Sequence, residues 1–228
     1  NFNTGNALTK LIYINVGVFL LFQILSVFSF LFSIADLRLP SFFALPADIA
    51  ALAKKPWTII TYMFLHQSFL HLLFNMLWLY FGGQIFLSFF SSKQLISTYV
   101  LGGICGGILF VLSFNLFPVF ASNAQYAIAM GASASVLAIV LAIATKSPNY
   151  TIRMFLIGNV KLKHIALTCI ILDILSIPKG NAGGHLAHLG GAFFGFLYVK
   201  QLNGGNDISS RFNKIMDYLA ELLQRKPK

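Results

Sequence analysis

Several polar side chains of this 228-residue chain stand inside or at the edge of strongly apolar runs: His66, His71, Asn75, Ser133, Ser135, Asp173, His185 and His188. Polar groups in such runs are costly and need a reason. Three chemistries fit them. A serine becomes a nucleophile when a histidine takes its proton. Histidines on facing helices can hold haem or a metal, and His66, His71, His185 and His188 are the set for that reading. The third option is interhelical hydrogen bonding with no chemistry.

Ser133 lies in Met-Gly-Ala-Ser-Ala-Ser, where Gly131 allows a tight entry into a helix and Ala132, Ala134 and Ala138 let neighbours come close. By itself such a serine is packing. His188 lies in Gly-Gly-His-Leu-Ala-His-Leu-Gly-Gly, and Gly191 with Gly195 makes a GxxxG pair that brings helix backbones together. By itself it is a buried histidine bonded to a carbonyl. His185, one turn earlier, is the rival base, with a position that favours solvent or a loop contact. His71 and Asn75 are four apart, so they stack on one helix face, and both can donate to a developing negative charge. His66 sits at the loop edge, where it could brace the helix start. Asp173 has no catalytic account: its charge calls for a partner on another helix, a proton or a water cavity.

The elements that must position these groups follow from hydropathy. The chain is 57% hydrophobic and 10% charged, with 24 Phe, too few charges to cover a water-facing surface. Six apolar segments approach the roughly 20 residues that cross a bilayer. They run from about Leu11 to Ile34, Phe69 to Phe90, Leu95 to Phe117, Gly131 to Thr145, Ile165 to Ile177 (with Val160 as an earlier start) and His185 to Val199. Net charge is +10, the reflex signal of nucleic-acid binding, but the basic residues lie between spans and in the tail. With the N-terminus inside, Lys10, Lys93, Lys146, Arg153, Lys161, Lys163, Lys200, Arg211, Lys214, Arg225, Lys226 and Lys228 are internal. Only Arg38, Lys54, Lys55 and Lys179 are external. This asymmetry predicts six spans with both termini cytoplasmic.

In that orientation every even span starts at the outer face. His71, Asn75, Ser133 and His188 therefore share one layer. Span four is only about 22 Å long, short of a core of about 30 Å, so Ser133 would be a submerged helix N-terminus with free N–H groups. The first outer segment, residues 35–56, is long, with a short helix expected over Asp48 to Ala53 and with Phe42, Phe43 and Trp57 at headgroup level. The uncharged second outer segment, Pro118 to Met130, is expected to tuck among helices or dip into the membrane. Cys105 and Cys169 read as small packed hydrophobes rather than a disulfide. After a Gly204-Gly205 hinge, Asp207 or Ser209 caps an amphipathic helix with Phe212, Ile215, Met216, Leu219 and Leu223 on one face. The domains expected are a membrane domain over 1–201 and a cytoplasmic tail over 202–228. No cleavable signal peptide is evident in the first apolar run.

Three motifs in order resemble the rhomboid family of intramembrane serine proteases over roughly Trp57 to Tyr198: His66-x4-His71-x3-Asn75, Gly131-Ala132-Ser133, and Ala187-His188 followed by Gly191 and Gly195. The resemblance implies an all-α, six-transmembrane-helix bundle with a long first outer loop and a short cytoplasmic C-terminal helix. It implies a Ser-His dyad, with Ser133 as nucleophile and His188 as base. His71, Asn75 and the Ser133 N–H would hold the oxyanion, Gly131 would shape the turn and His66 would support it. It further implies single-span membrane proteins as substrates, cut near the outer face, entry beside span five, and no metal or organic cofactor. The lipid bilayer is the other partner, and nucleic acid is not one. Two positions depart from the family: Ala134 where Gly usually follows the nucleophile, and Leu137 where an aromatic often stacks on the histidine. They keep open an alternative, a weak or inactive relative that binds transmembrane segments. The minimal size suggests a bacterial plasma membrane.

Overall fold

A computed structural model describes residues 6–34, 39–154 and 158–224. Helix α1 (Ala7–Leu31) begins at Asn6, whose side chain accepts from the Thr9 N–H. The outer segment then forms α2 (Leu39–Phe43), β1 (Leu45–Pro46), α3 (Ile49–Lys54) and α4 (Thr58–Thr61). Asp48 caps α3 by accepting from the Ala51 N–H at 2.6 Å, so the expected short helix forms one residue later than read. Residues 35–38, including Arg38, lie outside the described residues. Helix α5 (Phe69–Leu87) starts from a Ser68 cap, and α6 (Ser92–Leu116) from a Ser91–Gln94 capping box. Strand β2 (Ile128–Ala129), α7 (Ser133–Lys146), β3 (Thr151–Met154), β4 (Gly158–Lys161), α8 (Leu162–Ser176), α9 (Ala182–Asn203) and α10 (Ser210–Gln224) follow.

The fold is dominated by helices, as expected, but it is not purely helical. Leu45 pairs with Ala129 and Pro46 with Ile128, antiparallel, joining the two outer segments. The Ala47 N–H extends this by donating to Ala127 O at 2.9 Å. Ala44, Leu45 and Ala47 are fully buried, so it is this stretch of the first outer segment that tucks in, whereas the second, expected to do so, is mostly exposed, with Val119 and Tyr126 outward and Ala129 buried at the pairing. Strands β3 and β4 form a second antiparallel pair between α7 and α8. Val160 belongs to β4, and α8 starts only at Leu162.

Among the described residues, α1, α5 and α6 are long and apolar enough to cross a membrane, and α7 is a shorter apolar helix. Helix α7 is the centre of the bundle: every residue from Ala134 to Ala144 is buried. Small residues make that possible. A Cβ on Gly191 or Gly195 of α9 would run into the carbonyl oxygens of Ala134 and Ala138, and one on Gly102 of α6 would meet the Ala138 methyl. On the far side, α1 is tied in by Asn15, which donates to Tyr99 Oη at 3.0 Å, while Tyr99 Oη donates to Met63 O at 3.1 Å. The outward faces of α1, α5 and α8 are apolar and exposed, through residues such as Leu21, Ile24, Phe74, Phe81, Ile171 and Leu175. Lipid is the solvent that suits such a surface.

Trp57 donates its indole N–H to Phe42 O at 3.1 Å and packs on the Phe42 ring at 4.9 Å, both partly exposed. Cys105 and Cys169 are free thiols. In the tail, Asp207 accepts from the Ser209 N–H and hydroxyl at the start of α10. Lys93 of α6 pairs with Asp217 of α10 at 2.8 Å, and Ile215 and Met216 are exposed. The side chains of Leu219 and Leu223, and the residues Arg225, Lys226 and Lys228, lie outside the described residues.

Candidate active site

Ser133 is the first residue of α7, two residues later than the span was read. Gly131 explains the offset. Its φ of +138° belongs to the region that L side chains avoid, and its N–H donates to Tyr62 O at 3.0 Å. A Cβ at Gly131 would stand 2.8 Å from His71 Cε1, so glycine also lets the imidazole lie against the turn. No side chain caps α7. The N–H groups of its first turn are therefore available to an anion.

His188 Nε2 lies 2.6 Å from Ser133 Oγ, and His188 Nδ1 lies 2.8 Å from Asp173 Oδ1. A carboxylate only accepts, so Asp173 fixes the hydrogen of His188 on Nδ1 and leaves a lone pair on Nε2. The Ser133 hydroxyl then donates to that lone pair. The resemblance implied a pair; the structure adds a carboxylate behind it. His185 Nδ1 meets the same Asp173 oxygen, also at 2.8 Å. The His185 side chain stays partly exposed, as its place near the helix start suggests, but its ring is committed to Asp173 and does not reach Ser133. Asp173 sits three residues before the end of α8 at Ser176, and the short connection to α9 at Ala182 carries the chain to both histidines. The signal for it was present: an acid stranded in an apolar run requires a partner, and histidines on the next helix were the available ones.

His71 and Asn75 share a face of α5, as their spacing predicts. Asn75 donates one N–H to His71 O at 2.8 Å, which leaves its second N–H. The His66 and His71 rings meet edge to face at 5.2 Å. Burial, with the His71 imidazole beside it, pushes His66 down to about 4. Ser135 turns away: it is fully buried, with Oγ directed at Met63 Sδ. The methyl of Ala134 is set against Gly106 of α6, so that glycine takes up the extra carbon. Leu137 lines a cavity wall with His188 and Asp173.

Two cavities meet at this point. One, of about 830 Å³, is lined by His71, Gly131, Ser133, His188, Asn123 and Asn181 together with aromatic residues of α6 and the segment after it. The other, of about 300 Å³, lies between α5, α7 and α8, lined by Phe74, Asn75, Trp78, Leu137, Leu172 and Asp173. Ser133 and His188 are the residues that line both. The arrangement can therefore bring an extended chain from the smaller, more apolar cavity and water from the larger one to one hydroxyl.

The four histidines do not gather as one ligand set. Among the described residues, the group close enough to chelate an ion is Asp173, His185 and His188, whose ligand atoms lie within 4.8 Å of one another. Their mutual hydrogen bonds account for that closeness.

The chain matches the family described as Rhomboid domain over residues 53–203. It is also similar to "Presenilin-associated rhomboid-like protein A, mitochondrial" from Danio rerio, 26% identical over 139 residues, which cover 60% of this chain and 35% of the relative. The match thus spans about a third of that protein's length. The relative is mitochondrial by name, which lends no support to a bacterial plasma membrane.

Proposed function

This chain belongs to the rhomboid family and is an integral membrane protein, and on that premise we propose that it is an intramembrane serine endopeptidase cutting single-span membrane proteins near the outer face. The observation that carries this reading is the 2.6 Å contact between Ser133 Oγ and His188 Nε2, made where the two cavities join.

Ser133 Oγ attacks the scissile carbonyl as His188 Nε2 takes its proton. Asp173 holds the Nδ1–H and stabilises the imidazolium that forms. The oxyanion receives hydrogen bonds from the Ser133 N–H, the His71 ring and the free N–H of Asn75. His188 returns the proton to the leaving amine, and a water from the larger cavity hydrolyses the acyl-enzyme, with no cofactor. The transmembrane substrate enters through the apolar cavity between α5 and α8, where Leu172 and Trp78 face a hydrophobic segment. Helices α1, α5, α6, α7, α8 and α9 are the six spans. Lys93, Lys146, Lys161, Lys163 and Lys200 mark their inner ends, and α10 is the cytoplasmic tail. Helix α7 is short for a span, about 21 Å, but its burial on all sides removes the need to match lipid thickness.

The test is a fluorophosphonate probe on the solubilised full chain, with cleavage of a model single-span substrate beside it. Ser133→Ala and His188→Asn should each lower cleavage by about 10⁴-fold. Ser135→Ala should leave both readouts near wild type. A wild-type chain that captures the substrate without cutting it, and takes no label, would instead favour the binding protein.

A further inference from the structure

We propose that His185 is a positioning residue for this reaction, one that holds the Asp173 carboxylate facing His188. The inference rests on the protease reading above.

His185 touches neither Ser133 nor either cavity. It cannot be the base, yet it spends its Nδ1 on the one oxygen that the base also uses. The two imidazoles come from one face of α9, three residues apart, with ring centres 5.9 Å apart and planes at 87°. One carboxylate oxygen thus receives two donors from crossed directions. A single donor leaves a carboxylate free to swing about its side-chain torsion; a second at a steep angle removes that freedom.

The need for a second donor follows from how α8 is held. Its buried residues are Leu162, Ile165, Ala166 and Asp173. The first three lie in its opening turns. Past them the helix presents Leu167, Ile171, Leu172, Ile174 and Leu175 outward, and Asp173 is its buried link to α9. If His188 were the sole partner, the end of α8 would hang on a group that gains and loses a proton in every turnover. His185 supplies a link that the proton transfers do not touch. The other titratable groups beside the carboxylate are His188 on α9 and Cys169 one turn earlier on α8, with His71 of α5 beyond His188 in the larger cavity.

The experiment compares His185→Asn and His185→Leu in the full chain with the single-span substrate. Asn keeps an N–H near the position of Nδ1; Leu keeps bulk only. Leu should lower kcat by about tenfold to a hundredfold, with KM within about twofold, and shift the acid limb of the kcat/KM profile. Asn should restore kcat to within about fivefold of wild type and restore the limb. Leu behaving like wild type would overturn the proposal, as would Asn failing as badly as Leu. Histidine-selective nitrogen NMR reads the same contact without turnover. Wild type should show two hydrogen-bonded Nδ1–H protons, both lost in Asp173→Ala, and a single one would overturn the proposal. A wild type with both signals but no cleavage would count against the protease reading alone.

Discussion

Helices α7 and α8 each bring one polar residue to the same histidine, but they are held in opposite ways. From Ala134 to Ala144, α7 is buried without interruption, pressed by the glycines of α6 and α9. Helix α8 buries four residues and turns an apolar face outward. Ser133 therefore sits on the most deeply packed element and the carboxylate on a peripheral one. The 2.6 Å contact between Ser133 and His188 is set by backbone packing, which is stiff. The Asp173 contacts are set by hydrogen bonds between side chains, which one substitution can undo.

Variants on the two sides should separate stability from activity. The largest effect is expected at Gly191→Val. Its Cβ would run into the Ala134 carbonyl, and α9 would have to move off α7. That should cost about 3 kcal/mol or more and remove folding and cleavage together, read by thermal unfolding in detergent. Asp173→Asn should keep the fold, with Tm within a few degrees, while cleavage falls by about a hundredfold as the histidine loses its orienting charge. If Asp173→Asn unfolds the chain as Gly191→Val does, the contrast between the helices fails.

A smaller effect should appear in the connection before α5. His66 is pushed down from its ordinary 6.5 to about 4. The folded chain thus disfavours its protonation, and the unfolded chain takes the proton first. Stability is intact above about 6.5 and falls as pH drops toward 4. His66→Phe should flatten this part of the profile, so the difference in Tm between variant and wild type should open below pH 6.5 and stop growing near 4. The smallest effect is expected at Leu175→Ala on the outward face of α8, within about 0.5 kcal/mol.

The helices were legible because hydropathy and capping residues mark them. Phe69 was read as the start of the second span and is the start of α5, with Ser68 as its cap. Gly131-Ala132-Ser133 and the other two motifs were legible because each places polar residues near the start of an apolar helix, and geometry brings His71, Ser133 and His188 to one cavity. The small sheets were not legible. Leu45 and Ala129 are far apart in sequence, and two-residue strands carry no alternation to read. Asp173 was visible as an anomaly without a role. The depth argument grouped residues at the starts of even spans, whereas Asp173 reaches them from the end of α8. The His185 contact was not legible for a related reason: nearness to the surface suggested solvent, and the side chain is partly exposed, but the carboxylate on the adjacent helix takes its ring nitrogen.

The most direct test of the central claim is peptide mass spectrometry on the wild-type chain after fluorophosphonate labelling. The account predicts one modified residue, Ser133, with labelling lost in Ser133→Ala and slowed by at least about tenfold in His188→Asn. Modification at Ser135, or labelling that survives Ser133→Ala, would contradict it.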